Sequence, residues 1–121
     1  MTDNKTTIED LKKFIDVFVE ERNWKQFHTP KNLSMSISIE AAELMENFQW
    51  LESAKSHDIV NDKANFENVK DEISDIVVYC INLANVLNID LAESIEHKMK
   101  KNRKKYPVEK AKGSSRKYNQ L

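Results

Sequence analysis

Two short runs hold the residues best suited to chemistry in this chain, Glu40-Ala41-Ala42-Glu43 and Glu72-Ile73-Ser74-Asp75. Residues three apart on a helix share a face, so each run presents a pair of carboxylates. If the two helices pack antiparallel, Glu40, Glu43, Glu72 and Asp75 converge. Converging negative charges repel, and burial raises the cost. A divalent cation resolves the conflict. Mg²⁺ takes oxygen ligands, keeps several waters and bridges carboxylates to substrate phosphates, with Mn²⁺ as a possible substitute. A di-iron bundle would use Glu-x-x-His pairs. Here positions 43 and 75 are Glu and Asp, and His28, His57 and His97 lie elsewhere. Carboxylate pairs at this spacing are also common on solvated helix faces, so spacing alone leaves a metal site and a plain acidic surface both open.

Aromatic residues are the second feature. Trp24, Phe27 and His28 fall between the first two helical segments, Trp50 falls at the end of the second, and Tyr79 lies one turn past Asp75. Planar rings beside metal-binding carboxylates suit a nucleotide: rings stack on the base while metal holds phosphates. Core or interface packing is the alternative for each ring. The third feature is the basic stretch from Lys98 through Arg103 to Lys105. Lys98 and Asn102 share a face, and Lys and Arg there suit phosphate oxygens. Cations also suit a solvated helix C-terminus.

Four helices must position these groups. Thr7-Ile8-Glu9-Asp10 resembles a capping box and opens the first, with Ile8, Leu11, Phe14, Ile15 and Phe18 at helical spacing. Thr29-Pro30 opens the second, whose stripe Leu33, Ile37, Ala41, Leu44, Phe48 and Leu51 predicts a helix through about residue 52. Residues 53–64 are polar and mixed, which predicts a loop. The third helix is expected from about Asn65 to Leu87. Val69, Ile73, Ile76, Cys80, Leu83 and Leu87 form its stripe, widened by Val77 and Ala84. A helix apolar over most of its circumference is central. Asp90 caps the fourth, on which Leu91, Ile95 and Met99 are expected to face inward, and which ends before Pro107. Residues 107–121 read as a basic tail. The expectation is an all-α single domain over residues 1–121.

The chain is 121 residues long and has one Gly and two Pro, too few turn formers for a β-sandwich or barrel. Cys80 is the only cysteine, which excludes a disulfide scaffold. The longest apolar run, residues 76–81, is far below the about 20 residues a membrane span needs. The first five residues hold no apolar signal core, and a cytoplasmic location is expected. A net charge of −1 conceals an asymmetry: residues 1–97 hold 9 Lys/Arg against 19 Asp/Glu, while residues 98–121 hold 10 against 1. The acidic part suits cations and the basic part suits phosphates or an acidic surface.

Taken in order, these residues resemble the MazG-like all-α nucleoside triphosphate pyrophosphohydrolases, and within them the single-domain dCTP pyrophosphatase branch. The resemblance runs through Glu21-Arg22-Asn23-Trp24-Lys25-Gln26-Phe27-His28, Pro30 and Asn32-Leu33, then Glu40-Ala41-Ala42-Glu43-Leu44 and Phe48-Gln49-Trp50. It continues through Asp71-Glu72-Ile73-Ser74-Asp75-Ile76 and Tyr79, and closes with Lys98-Met99, Asn102-Arg103, Tyr106-Pro107 and Ser114-Ser115-Arg116-Lys117-Tyr118. It departs in small ways: Ala41-Ala42 stands for a Val-Gly-like pair, and Asp71 stands where a Glu is frequent.

The resemblance implies a four-helix MazG-like bundle assembled as a dimer of dimers. It implies Mg²⁺-dependent hydrolysis of a (deoxy)nucleoside triphosphate, dCTP or a modified dCTP being favoured, to the monophosphate and pyrophosphate. The implied role is cleansing of the nucleotide pool. Glu40, Glu43, Glu72 and Asp75 match the catalytic metal-binding carboxylates. Trp24, His28 and Trp50 match the base pocket and Tyr79 a ring near the sugar, where its bulk opposes a ribose 2′-hydroxyl. Lys98, Asn102 and Arg103 match phosphate-side residues. The implied assembly is a homotetramer, with neither membrane nor nucleic acid as partner. The competing class is a non-enzymatic helical nucleotide- or nucleic-acid-binding module, in which the basic end would grip phosphates with steep salt dependence. A helical interaction protein is a third class.

Overall fold

The computed structural model describes residues 1–121 and is entirely helical. Its order is α1 (Ile8–Glu21), α2 (Pro30–Glu46), a 3-10 helix (Ser53–Asn61), α3 (Lys63–Leu87), α4 (Leu91–Lys105), α5 (Val108–Ala111) and a closing 3-10 turn (Tyr118–Gln120). The chain divides into two compact units, Met1–Asn88 and Ile89–Leu121. No single helix is long and apolar enough to cross a membrane.

Local chemistry accounts for the helix starts. Thr7 Oγ1 accepts from the Asp10 N–H at 3.1 Å while the Asp10 carboxylate accepts from the Thr7 N–H at 2.9 Å, a reciprocal capping box. Thr29 caps α2 through the Asn32 N–H, with Pro30 at the first position. Asp62 caps α3 and accepts from both the backbone and the side chain of Asn65, so α3 opens two residues before the expected Asn65. Asp90 caps α4 through the Glu93 N–H. Asn88 closes α3 in the left-handed conformation at φ 53, which Asn tolerates better than most side chains.

Two of the expected elements change. The α2 stripe predicts a helix through about residue 52, but α2 ends at Glu46. The Asn47 amide donates to the carbonyls of Glu43 and Leu44, taking acceptors a continuing helix would use, and tight turns follow. Residues 53–64, expected as a loop, instead hold the 3-10 helix Ser53–Asn61, the Asp62 cap and the first residues of α3. Ser56 Oγ donates to the Ser53 carbonyl at 2.7 Å, and Ile59 is buried as its anchor. A short polar 3-10 helix leaves no 3.6-residue apolar period to read.

In the first unit, α3 is central, with α2 and α1 packed on it and the 3-10 helix against it. The core comprises Ile15, Val19, Leu33, Ile59, Val69, Ile81 and Ala84. Val19 joins Ile15 in the core, whereas Ile8, Phe14 and Phe18 of the expected α1 stripe are exposed. Of the expected α2 stripe only Leu33 is buried; Ala41 is exposed, as is Leu51 beyond the end of the helix. On α3, Ile73, Val77 and Leu87 stay exposed. The apolar surface outruns what one chain can cover. In the second unit, Ile95 and Met99, expected to face inward, are exposed in the single chain. The expected tail carries α5, a left-handed Gly113 at φ 76, and an edge-on contact of Tyr118 with Tyr106 at 6.2 Å.

Leu33 is the most completely buried large side chain. Leu33→Ala is expected to destabilise the protein by about 2–5 kcal/mol. Urea unfolding checks it: the midpoint should fall while the slope stays constant.

Candidate functional site

The α2–α3 packing brings carboxylates together. Oxygens of Glu40, Glu43 and Glu72 lie within 4.8 Å of one another. Glu40 and Glu72 are half-buried and Glu43 is exposed. One oxygen of Glu72, Oε2, is buried and has no hydrogen-bond partner. The adjacent Glu72 carboxyl, burial, and the neighbouring Glu43 and Asp75 charges together raise the Glu40 pKa from 4.5 to about 7. Asp75 stands outside the close triad but near enough for its charge to act on Glu40.

These features fit a hard divalent cation. The donor set is all carboxylate oxygen, one donor is buried and unpartnered, and the cluster repels itself unless a proton or cation is present. Glu43 and Glu72 also line a polar cavity of ≈ 420 Å³ with Glu46, Asn47, Asn65 and Asn68. Those four residues were not legible as site residues. Glu46 continues the Glu40-Glu43 face by a further turn, and that spacing was the available signal.

Asp75 also lines an aromatic cavity of ≈ 370 Å³. Phe14, Phe18, Trp24, His28, Tyr79 and Asn82 line it together with Asp75 and aliphatic side chains. Its size lies in the range of small-molecule sites. The segment between α1 and α2 positions two of the walls. Asn23 adopts φ 54 and turns the chain, the Trp24 N–H donates to the Val19 carbonyl, and the His28 N–H donates to the Trp24 carbonyl. The Asn32 amide ties down the Phe27 carbonyl at 2.9 Å. The Phe18 ring meets Trp24 edge-on at 5.7 Å and carries the Arg22 guanidinium 3.7 Å from its centroid. Trp24 and His28 rings lie 6.0 Å apart.

Thus Trp24, His28, Asp75 and Tyr79 gather at one cavity, and Glu40, Glu43 and Glu72 gather beside Asp75. Trp50 stands apart, 89% exposed in the turns after α2. Lys98, Asn102 and Arg103 lie on α4 in the second unit, Lys98 and Arg103 exposed and Asn102 half-buried. Sequence reasoning missed Phe14 and Phe18, taken as core stripe, and Asn82. The signal for Asn82 was a polar residue inside the apolar run Ile81-Asn82-Leu83.

Comparison with known proteins gives the same direction. A family model described as MazG-like matches residues 35–121. Rat (Rattus norvegicus) dCTP pyrophosphatase 1 is 36% identical over 115 residues, covering 95% of this chain and 68% of the relative. The human (Homo sapiens) dCTP pyrophosphatase 1 is likewise 36% identical over 115 residues, with the same coverage. A crystal structure of a pyrophosphatase from Archaeoglobus fulgidus superposes with a TM-score of 0.77 at 38% identity, covering 88% of this chain and 98% of that one.

The carboxylate cluster makes stability depend on pH in a defined sense. With its folded pKa of about 7 above the ordinary 4.5, Glu40 holds a proton that the unfolded chain has already released between those values. Metal-free protein should therefore lose melting temperature as pH rises from about 4.5 to about 7. Glu40→Gln should flatten that fall. Divalent cation should reverse it at neutral pH. Scanning calorimetry across the window, with and without metal, reads all three.

Proposed function

The chain belongs to the MazG-like family and is an enzyme of the nucleoside triphosphate pyrophosphatase kind, and on that premise we propose that it hydrolyses dCTP, or a modified dCTP, to the monophosphate and pyrophosphate. The observation that carries the reading is the adjacency of a self-repelling carboxylate triad and an aromatic cavity, joined at Asp75. Phosphate chemistry and base recognition require those two compartments side by side. The likeness to dCTP pyrophosphatase 1 supports cytosine as the base.

Glu40, Glu43, Glu72 and Asp75 are the residues proposed to hold Mg²⁺, with Mn²⁺ as substitute. Bound there, the cation supplies charge neutralisation for the triphosphate and Lewis acidity at the phosphorus. The chain's own groups do the rest. Trp24, His28 and Trp50 are proposed to contact the base. Tyr79 abuts the sugar, and Lys98, Asn102 and Arg103 take phosphate oxygens. Water adds to one phosphorus of the α–β anhydride, the bridging P–O bond breaks, and the monophosphate and pyrophosphate separate. The water's proton passes to a carboxylate oxygen, for which exposed Glu43 is the proposed acceptor. Positioning and electrostatics supply most of what this chemistry needs.

The uncovered apolar surface on α2 and α3 supports a homo-oligomer, proposed as a dimer of dimers with sites completed between copies. The enzyme is proposed to act in the cytoplasm, cleansing the nucleotide pool.

Pyrophosphate release from the four dNTPs and four NTPs, with and without Mg²⁺, tests the reading. Wild type should be metal-dependent and most active on dCTP. Glu43→Gln should lower kcat by roughly 10²–10⁴-fold. Absence of release from every triphosphate, or undiminished activity in Glu43→Gln, would overturn the respective assignment. Tyr79→Ala should raise the relative use of CTP over dCTP by roughly tenfold. An unchanged ribo/deoxy ratio would remove Tyr79 from sugar selection.

A further inference from the structure

Asn82 is the one polar side chain among the buried residues, 4% exposed in the middle of α3. A buried amide is costly without partners. Asn82 Nδ2 meets Nδ1 of His28 at 2.7 Å, across 54 positions of sequence. Both residues line the aromatic cavity. Both also line a second cavity of ≈ 330 Å³ with Asp16, Lys25, Asn85 and Val86. The pair is therefore a wall common to the two.

The chemistry of this contact is directional. An amide nitrogen only donates, so the imidazole nitrogen facing it must accept. A neutral imidazole with Nδ1 accepting carries its single proton on Nε2. Most of the aromatic cavity's wall is apolar: Phe14, Ile15, Phe18, Val19 and Val78. A donor of fixed orientation in such a wall discriminates strongly, because a ligand without a matching acceptor leaves the donor unpaired.

We infer that Asn82 is a positioning residue for base recognition: its amide holds His28 in the Nε2–H tautomer, so that the cavity selects a planar base through a carbonyl or ring-nitrogen acceptor. This rests on the reading of the aromatic cavity as the base site.

Nitrogen-15 NMR of the histidine rings in metal-free, nucleotide-free wild type is the first test. His28 should be protonated at Nε2 and bare at Nδ1, and a proton on Nδ1 would overturn the inference. Titration with dCMP should move the His28 Nε2–H resonance, whereas inorganic pyrophosphate should leave it in place. An unmoved resonance with dCMP bound would equally overturn it. In Asn82→Leu the two tautomers should exchange, and KM for dCTP should rise roughly tenfold with kcat little changed. A released tautomer with unaltered KM would show that Asn82 serves only the fold. The wild-type measurements stand even if that variant fails to fold. Protein that hydrolyses no triphosphate yet shifts with dCMP would keep this inference and defeat the hydrolytic reading. Hydrolysis of dCTP with an unmoved His28 would do the reverse.

Discussion

Carboxylates held against one another across the α2–α3 packing are the constraint on which the remaining structure turns. Glu40, Glu43 and Glu72 have oxygens within 4.8 Å, and one Glu72 oxygen is buried without a donor. A proton relieves the conflict, and the Glu72 carboxyl, burial and the Glu43 and Asp75 charges hold it on Glu40 to about pH 7. Apolar contacts elsewhere must offset that repulsion. Leu33 on α2 and Val69, Ile81 and Ala84 on α3 are among the buried residues that supply this burial in the first unit. The fold thus holds an electrostatic conflict at the carboxylate cluster, one that a proton on Glu40 or a divalent cation would relieve.

Asp75 links that conflict to the aromatic cavity. It acts on Glu40 through its charge and at the same time lines the cavity with Trp24, His28 and Tyr79. Tyr79 and Asn82 follow it at one and two turns along α3, so a single helix carries carboxylates of the acidic cluster and lining residues of the aromatic cavity in one register. The opposing wall comes from α1 and the Asn23 turn, whose hydrogen bonds to Val19 and Trp24 carbonyls orient the rings. A long rigid helix faced by a tied-down loop is a suitable frame for holding a charged and an aromatic compartment at fixed separation.

Much of this was legible in residue spacing, and the misses have specific causes. The Glu40/Glu43 and Glu72/Asp75 pairs announced themselves because three-residue spacing survives any packing arrangement. The caps at Thr7, Thr29 and Asp90 were legible because a cap is a local bond between a side chain and a nearby N–H. The ending of α2 was misread because the apolar stripe continues past Asn47, while the amide there competes for the last carbonyls. Phe14 and Phe18 were read as core because spacing reports a shared face, not whether that face meets protein or a cavity. Asn82 was overlooked because its partner lies 54 positions away.

The sequence by itself determined the helical class, the helix starts, the four acidic residues and the family likeness, since each follows from local pattern or from ordered motifs. Only tertiary structure decided that three of those carboxylates form a tight triad while Asp75 turns toward the rings. It alone paired His28 with Asn82, and left Ile73, Val77 and Trp50 uncovered in the single chain. Those outcomes depend on how helices distant in sequence meet, and on how much apolar surface one short chain has the means to bury.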